Sequence, residues 1–220
     1  MPTREDFEMA LALAQDAYRK QNPEVQAARA GAGWHPASEA DASPGRAVLR
    51  FLGTDYEILS PAGDVRFRDQ PGKEPALWEK THLLHYVNTA GGRFLSHQPL
   101  SFKDIPDGRL YLPNFEKRVV SPLLARFGKR PEEVWEPAKT LGGSRAEPGD
   151  FSVTIPVFPR IPVTLVFWKE DEEFQARVSV LYDRTATSYL PTEDLVLTAQ
   201  MLAFRLMALA GRVSRGRRGV

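Results

Sequence analysis

Cysteine is absent from the chain. Without a thiol there is no disulfide, no cysteine nucleophile, no cysteine–zinc site and no cysteine-ligated iron–sulfur cluster. A surplus of either charge is missing as well, since 29 basic side chains stand against 28 acidic ones. Binding a polyanion tightly needs excess cations, so dedicated nucleic-acid binding is not expected. Long apolar runs are also lacking. Pro162–Trp168 is far shorter than the roughly 20 residues that span a bilayer, and Thr198, Gln200 and Arg205 interrupt the richer stretch from Leu195 to Ala210. Residues 1–6 lack the basic start and apolar core of a secretory signal. A soluble, cytoplasmic protein without membrane insertion is expected.

The glycines do not make a nucleotide motif. Neither Gly91-Gly92 nor Gly142-Gly143 is followed by Lys-Ser or Lys-Thr, and Gly31-Ala32-Gly33 lacks the third glycine of a dinucleotide loop. What is present is ordinary globular material, 42% apolar and 26% charged over 220 residues. A chain of this size buries roughly 70% of its unfolded surface, so one domain over 1–220 is expected.

Phe7, Leu11, Ala14 and Tyr18 repeat at helical spacing behind Thr3, a residue suited to the N-cap. Pro23 to Arg29 predicts a second short helix with proline at its start. Residues 30–46 are rich in Gly, Ala, Ser and Pro and are expected to form a mobile loop in which Trp34 must find a docking place. Val48 to Arg68 predicts a β-hairpin turning at Ser60–Gly63, with a bulge or close approach at Gly53. Helices are expected over Pro75–Ala90, Asn114–Phe127 (kinked or broken at Pro122), Pro131–Lys139 and Thr192–Ala210. Phe151–Phe158, Val163–Trp168 and Phe174–Tyr182 read as strands, the first placed at an edge or bulge because Pro156 has no N–H to donate. The class is therefore α+β, a mainly antiparallel sheet built from hairpins with helices at both ends and in the middle. Residues 212–220 carry four arginines as a basic tail.

His82 and His85 lie three apart on one predicted helix, the spacing at which two imidazoles reach one metal, and His97 would offer a third ligand. No carboxylate stands between them, and hydrogen bonding to a neighbouring loop is the stronger reading, so no metal is expected. Glu170–Glu173 lacks calcium-loop spacing and reads as a solvated tip, with Asp171 or Glu173 capping backbone amides. Asp150, Asp183 and Glu193 stand at element ends, where carboxylates cap or pair. Arg118 and Arg184 have the fork geometry that grips an anion.

Several short motifs then fall into a familiar order: Phe51–Tyr56, Leu83–Tyr86, Ser101-Phe102, Gly142-Gly143, Gly149-Asp150, Phe158–Pro162, Val166–Trp168, Asp171–Phe174, Leu181–Asp183 and Tyr189–Asp194. Together they resemble an uncharacterised bacterial and archaeal family, a domain of unknown function common in anaerobes, over nearly the whole chain. The resemblance implies a cysteine-rich iron–sulfur segment in some relatives, which this chain has no residues to supply. It implies no activity, but it draws attention to Tyr56, His85, Tyr86, Arg118, Asp183 and Glu193 as ligand-binding candidates. The expected role is a binding or accessory protein for a small polar or anionic ligand or for a partner protein. Alternatives are an enzyme using His85 with Asp183 or Glu193 as acid and base, with a metal at His82 and His85, and a structural subunit of an assembly.

Overall fold

The computed structural model describes residues 3–40 and 42–216, with side chains as far as Arg212. The fold is α+β with two antiparallel sheets. The chain divides into two compact units: residues 3–94 with Phe158–Arg160 and Ser188–Leu190, and residues 95–157, 161–187 and 191–216.

The first unit opens with α1 (Arg4–Arg19), where Thr3 and Asp6 form a reciprocal capping box, and α2 (Pro23–Ala30), where the Asn22 side chain caps the amides of Glu24 and Val25. Gly31 ends α2 in the left-handed conformation. A four-stranded meander follows: β1 (Gly33–His35), β2 (Arg46–Phe51), β3 (Thr54–Leu59) and β4 (Asp64–Phe67).

Two expectations change here. Within 30–46, β1 pairs with Arg46–Val48, and the Trp34 ring lies against Gly45 in the space a side chain there would fill. The strand escaped the sequence pattern because three residues are too few to show an alternation. The hairpin over Val48–Arg68 is in fact three strands. Leu52 and Gly53, both at positive φ (46° and 76°), make a two-residue turn between the paired Phe51 and Thr54. Gly53 thus marks a turn, not a bulge.

α3 (Leu77–Thr89) packs against α1, and its Leu83, Leu84, Tyr86 and Val87 are buried. Gly91 then meets Ser188: its N–H donates to the Ser188 carbonyl at 2.9 Å, and a Cβ on it would lie 2.6 Å from that oxygen.

The second unit is built on a five-stranded sheet of order β5-β9-β8-β7-β6, with β5 (Pro99–Ser101), β6 (Ser144–Ala146), β7 (Phe151–Phe158), β8 (Ile161–Trp168) and β9 (Arg177–Asp183). β7 lies one place in from the edge. Pro156 is tolerated because β6 pairs only with Ser152–Thr154, so that side of β7 is open where the proline lacks its donor. Period-2 alternation buries Val153, Ile155, Val163, Leu165, Phe167, Val178 and Val180 on one face. Tyr182 joins them, and its hydroxyl donates to the Leu195 carbonyl at 2.7 Å, tying β9 to the last helix.

The helical segment starts earlier than its sequence pattern suggests, at α4 (Gly108–Phe115), and continues without a break through a π-helical turn (Glu116–Val120) into α5 (Ser121–Phe127). Pro122 can neither donate to nor approach the carbonyl four residues back. The irregularity therefore appears as a widened turn just before it rather than as a break. α6 (Trp135–Thr140) follows, and α7 (Thr192–Gly216) runs past Ala210 into the predicted basic tail, whose residues 217–220 lie outside the described residues. By length and composition the Thr192–Arg212 part of α7 could cross a membrane, and half of it is buried in the protein.

Candidate functional site

Tyr56, His85 and Tyr86 belong to the first unit, and Arg118, Asp183 and Glu193 to the second. In the first unit the central object is an aromatic stack. Phe158 lies flat on Tyr86 (centroids 4.1 Å apart) and on Phe51 (4.4 Å), and Phe51 contacts Tyr56 at 6.4 Å. Tyr56 and Tyr86 are thus gathered into one buried cluster. The Tyr56 hydroxyl donates to Glu79. The Tyr86 hydroxyl donates to the Ala30 carbonyl at 2.7 Å and accepts from the Arg160 amide at 3.1 Å. Burial drives its pKa far above the usual phenol range. Both phenols hold the fold together and present no reactive group.

His82 is 1% exposed and its ring packs among Phe51 (5.8 Å) and Phe158 (5.5 Å). His85 is half-buried on α3, and its carbonyl accepts from Thr89 at 2.7 Å. Among the described residues no group of three or more His, Asp and Glu side chains is arranged to hold a metal ion. His82 thus packs as part of the aromatic cluster.

In the second unit Arg118 is exposed on the π-helical turn, Arg184 is exposed after β9, and Glu193 is exposed in the first turn of α7. Asp171 caps the amides of Glu173 (2.9 Å) and Phe174 (2.7 Å), as expected for a tip. Asp150 accepts from the Lys169 amide at 2.7 Å.

Asp183 differs from the other carboxylates. At the end of β9 and only 7% exposed, it accepts five hydrogen bonds. Oδ1 takes the amide and hydroxyl of Ser96 (3.1 and 2.8 Å) and of Thr185 (2.9 and 2.7 Å), and Oδ2 takes the His97 amide (2.7 Å). Burial raises its pKa, but the donors of Thr185 and Ser96 outweigh that and lower it to about 2. The carboxylate stays ionised and accepts from the amide of His97, which sits at φ +57°, a left-handed conformation uncommon outside glycine.

His97 lies at the rim of a cleft of about 280 Å³ on the open face of the five-stranded sheet. His97, Gln98 and Pro99 line it at one edge strand and Ala146, Glu147 and Pro148 at the other. Its floor is Thr154, Pro162, Thr164 and Leu181. The Thr154 and Thr164 hydroxyls meet across β7 and β8 at 2.7 Å. The lining contains no lysine or arginine, and its one buried charge, Asp183, is already solvated by five donors.

Sequence reasoning singled out Asp183 and noted His97, but missed Gln98, Thr154 and Thr164. Two threonines ten residues apart become neighbours only once the strand register is known.

A family model described as a domain of unknown function, DUF3786, matches residues 22–205 of the chain. No curated protein and no solved structure matches it.

Proposed function

The chain belongs to the DUF3786 family, a domain of unknown function, and from that premise we propose that it is a soluble cytoplasmic binding protein. It holds a small polar ligand, uncharged or cationic, in the cleft of the second unit. The observation that carries this reading is His97, held at positive φ at the mouth of a polar concavity, its amide donating to a buried carboxylate that also gathers Ser96 and Thr185. Residues held in sparsely populated conformations cluster at ligand sites, because the surrounding structure must sustain the strain for some use.

The volume is close to the lower limit for small-molecule sites. Around it are imidazole, amide and carboxylate groups at the rim and hydroxyls on the floor, while Pro99, Pro148, Pro162 and Leu181 supply apolar contact. An anionic ligand would find no fixed cation beside it, and Glu147 would repel it. Half-burial of the apolar part of α7 favours a core helix over a membrane span.

The acid–base alternative has less support. A carboxylate with a pKa of about 2, saturated by hydrogen bonds, is a poor proton acceptor near neutral pH.

Amide-resolved NMR of the full chain, screened against small polyols, amides and amines, tests the proposal. Binding compounds should shift His97, Gln98, Thr154 and Thr164 together, and His97→Ala should abolish those shifts while leaving the melting temperature unchanged. Compounds that bind elsewhere, or that bind His97→Ala equally well, would overturn it.

A further inference from the structure

A different surface, in the first unit, carries a second site. Arg29 lies in the last turn of α2, and the chain turns at Gly31 with φ +70°. A Cβ on Gly31 would lie 3.1 Å from Nε of Arg160, and one on Gly92 would lie 3.0 Å from Cγ of Arg29. The bare glycines therefore admit two arginines, remote in sequence, alongside α2 and the loop 91–94. That loop is pinned. The Gly91 amide donates to the Ser188 carbonyl at 2.9 Å, and the Tyr189 hydroxyl donates to the Arg93 carbonyl.

Phe94, on this anchored loop, is nevertheless 77% exposed. The Arg160 guanidinium lies over its ring, 4.7 Å from the centroid. Among the described residues no carboxylate pairs with Arg29, Arg93 or Arg160, and Nε of Arg160 is buried without an acceptor. Most other arginines of this unit that lie near acids do pair, as Arg46 and Arg66 do with Glu57. The Arg160 guanidinium, without a counter-charge over an exposed ring, with the Arg29 side chain against Gly92 and Arg93 next to Phe94 in the same preorganised loop, matches one ligand chemistry. An anionic group satisfies the forks, and a planar ring stacks on the aromatic face.

We propose that Arg29, Arg93, Phe94 and Arg160 form a binding site for a planar aromatic ligand bearing an anionic group, either phosphate or carboxylate. The ring lies on the face of Phe94 that Arg160 leaves open, and the anion replaces the missing acidic partner of the arginines. Phe94 acts here as a stacking platform, which explains why so large an apolar side chain is left in water on a loop with no freedom to bury it.

The test uses the full chain and two probes, AMP for the phosphate source and 4-hydroxybenzoate for the carboxylate source, titrated by calorimetry. Adenosine and inorganic phosphate serve as single-feature controls. At least one probe should bind more tightly than either control, with affinity falling as salt rises. The probe that binds identifies the anion. Phe94→Ala and Arg160→Gln should each weaken binding by about tenfold or more, and Arg160→Lys should restore part of it. Should Arg160→Gln fail to fold, Arg29→Gln, at an exposed position, carries the same expectation. Failure of both probes to bind, or binding that survives Phe94→Ala and Arg29→Gln unchanged, overturns the proposal.

Discussion

Replacing Asp183 by asparagine changes one atom and a charge, and the structure states what each change costs. Oδ1 accepts four hydrogen bonds and Oδ2 accepts one, from the His97 amide. An asparagine keeps the four by placing its carbonyl at the Oδ1 position, but its NH₂ then faces the His97 N–H, donor against donor. Losing charge assistance in the retained bonds and stranding one amide should together cost about 2–3 kcal/mol. The depressed acidity of the same carboxylate leads to a figure of similar size. The folded pKa is depressed from 3.8 to about 2, so the carboxylate contributes roughly 2 kcal/mol above its unfolded pKa. That contribution is lost as pH falls from about 4 to about 2. Urea titration of Asp183→Asn at neutral pH, with an unchanged slope m, should show the loss, and the variant should lack this component of acid lability. A change under about 0.5 kcal/mol, within the range of an ordinary surface substitution, would refute the five-donor account.

Tyr86→Phe keeps the ring stacked on Phe158 but strands the Ala30 carbonyl and the Arg160 amide. A loss of about 1–3 kcal/mol in chemical denaturation is expected. Gly91→Ala drives a Cβ to 2.6 Å from the Ser188 carbonyl oxygen, so its melting temperature should fall by several degrees, corresponding to about 1–3 kcal/mol. His97→Gly relieves the positive φ and should raise stability by about 0.5–1 kcal/mol while removing cleft binding, a stability–function trade that denaturation and ligand titration read separately.

The α+β class and most elements were legible because each had its own local signal. Thr3 with Glu5 and Asp6 marked the start of α1, and alternating β-branched runs marked β7, β8 and β9. The short strands β1, β5 and β6 carry no such signal, since three residues become a strand only when a neighbour pairs with them. The turn at Leu52-Gly53 was obscured by its leucine. Leucine rarely takes a positive φ and is held there with its side chain buried, 7% exposed. The candidate site was less legible than the fold. Asp183 stood out as a carboxylate at a strand end, yet its five donors come from residues 96, 97 and 185, and only the first two lie far from it in sequence. Arg29, Arg93 and Phe94 carry no sequence motif, and Arg160 stood out only as part of Phe158–Pro162, because a missing counter-charge is a property of the fold and not of any window of sequence.

The central claim, that the open face of the five-stranded sheet holds a small polar ligand, is tested most directly by filling the cleft. Thr164 sits on its floor at a half-buried position, where a larger side chain projects into the cavity and not into the apolar face of the sheet. Native mass spectrometry of the intact protein should register one added copy of a polar ligand identified by the NMR screen. In Thr164→Phe the adduct should vanish while the circular dichroism spectrum and melting temperature stay those of the parent. An adduct that persists in a folded Thr164→Phe variant would contradict the account.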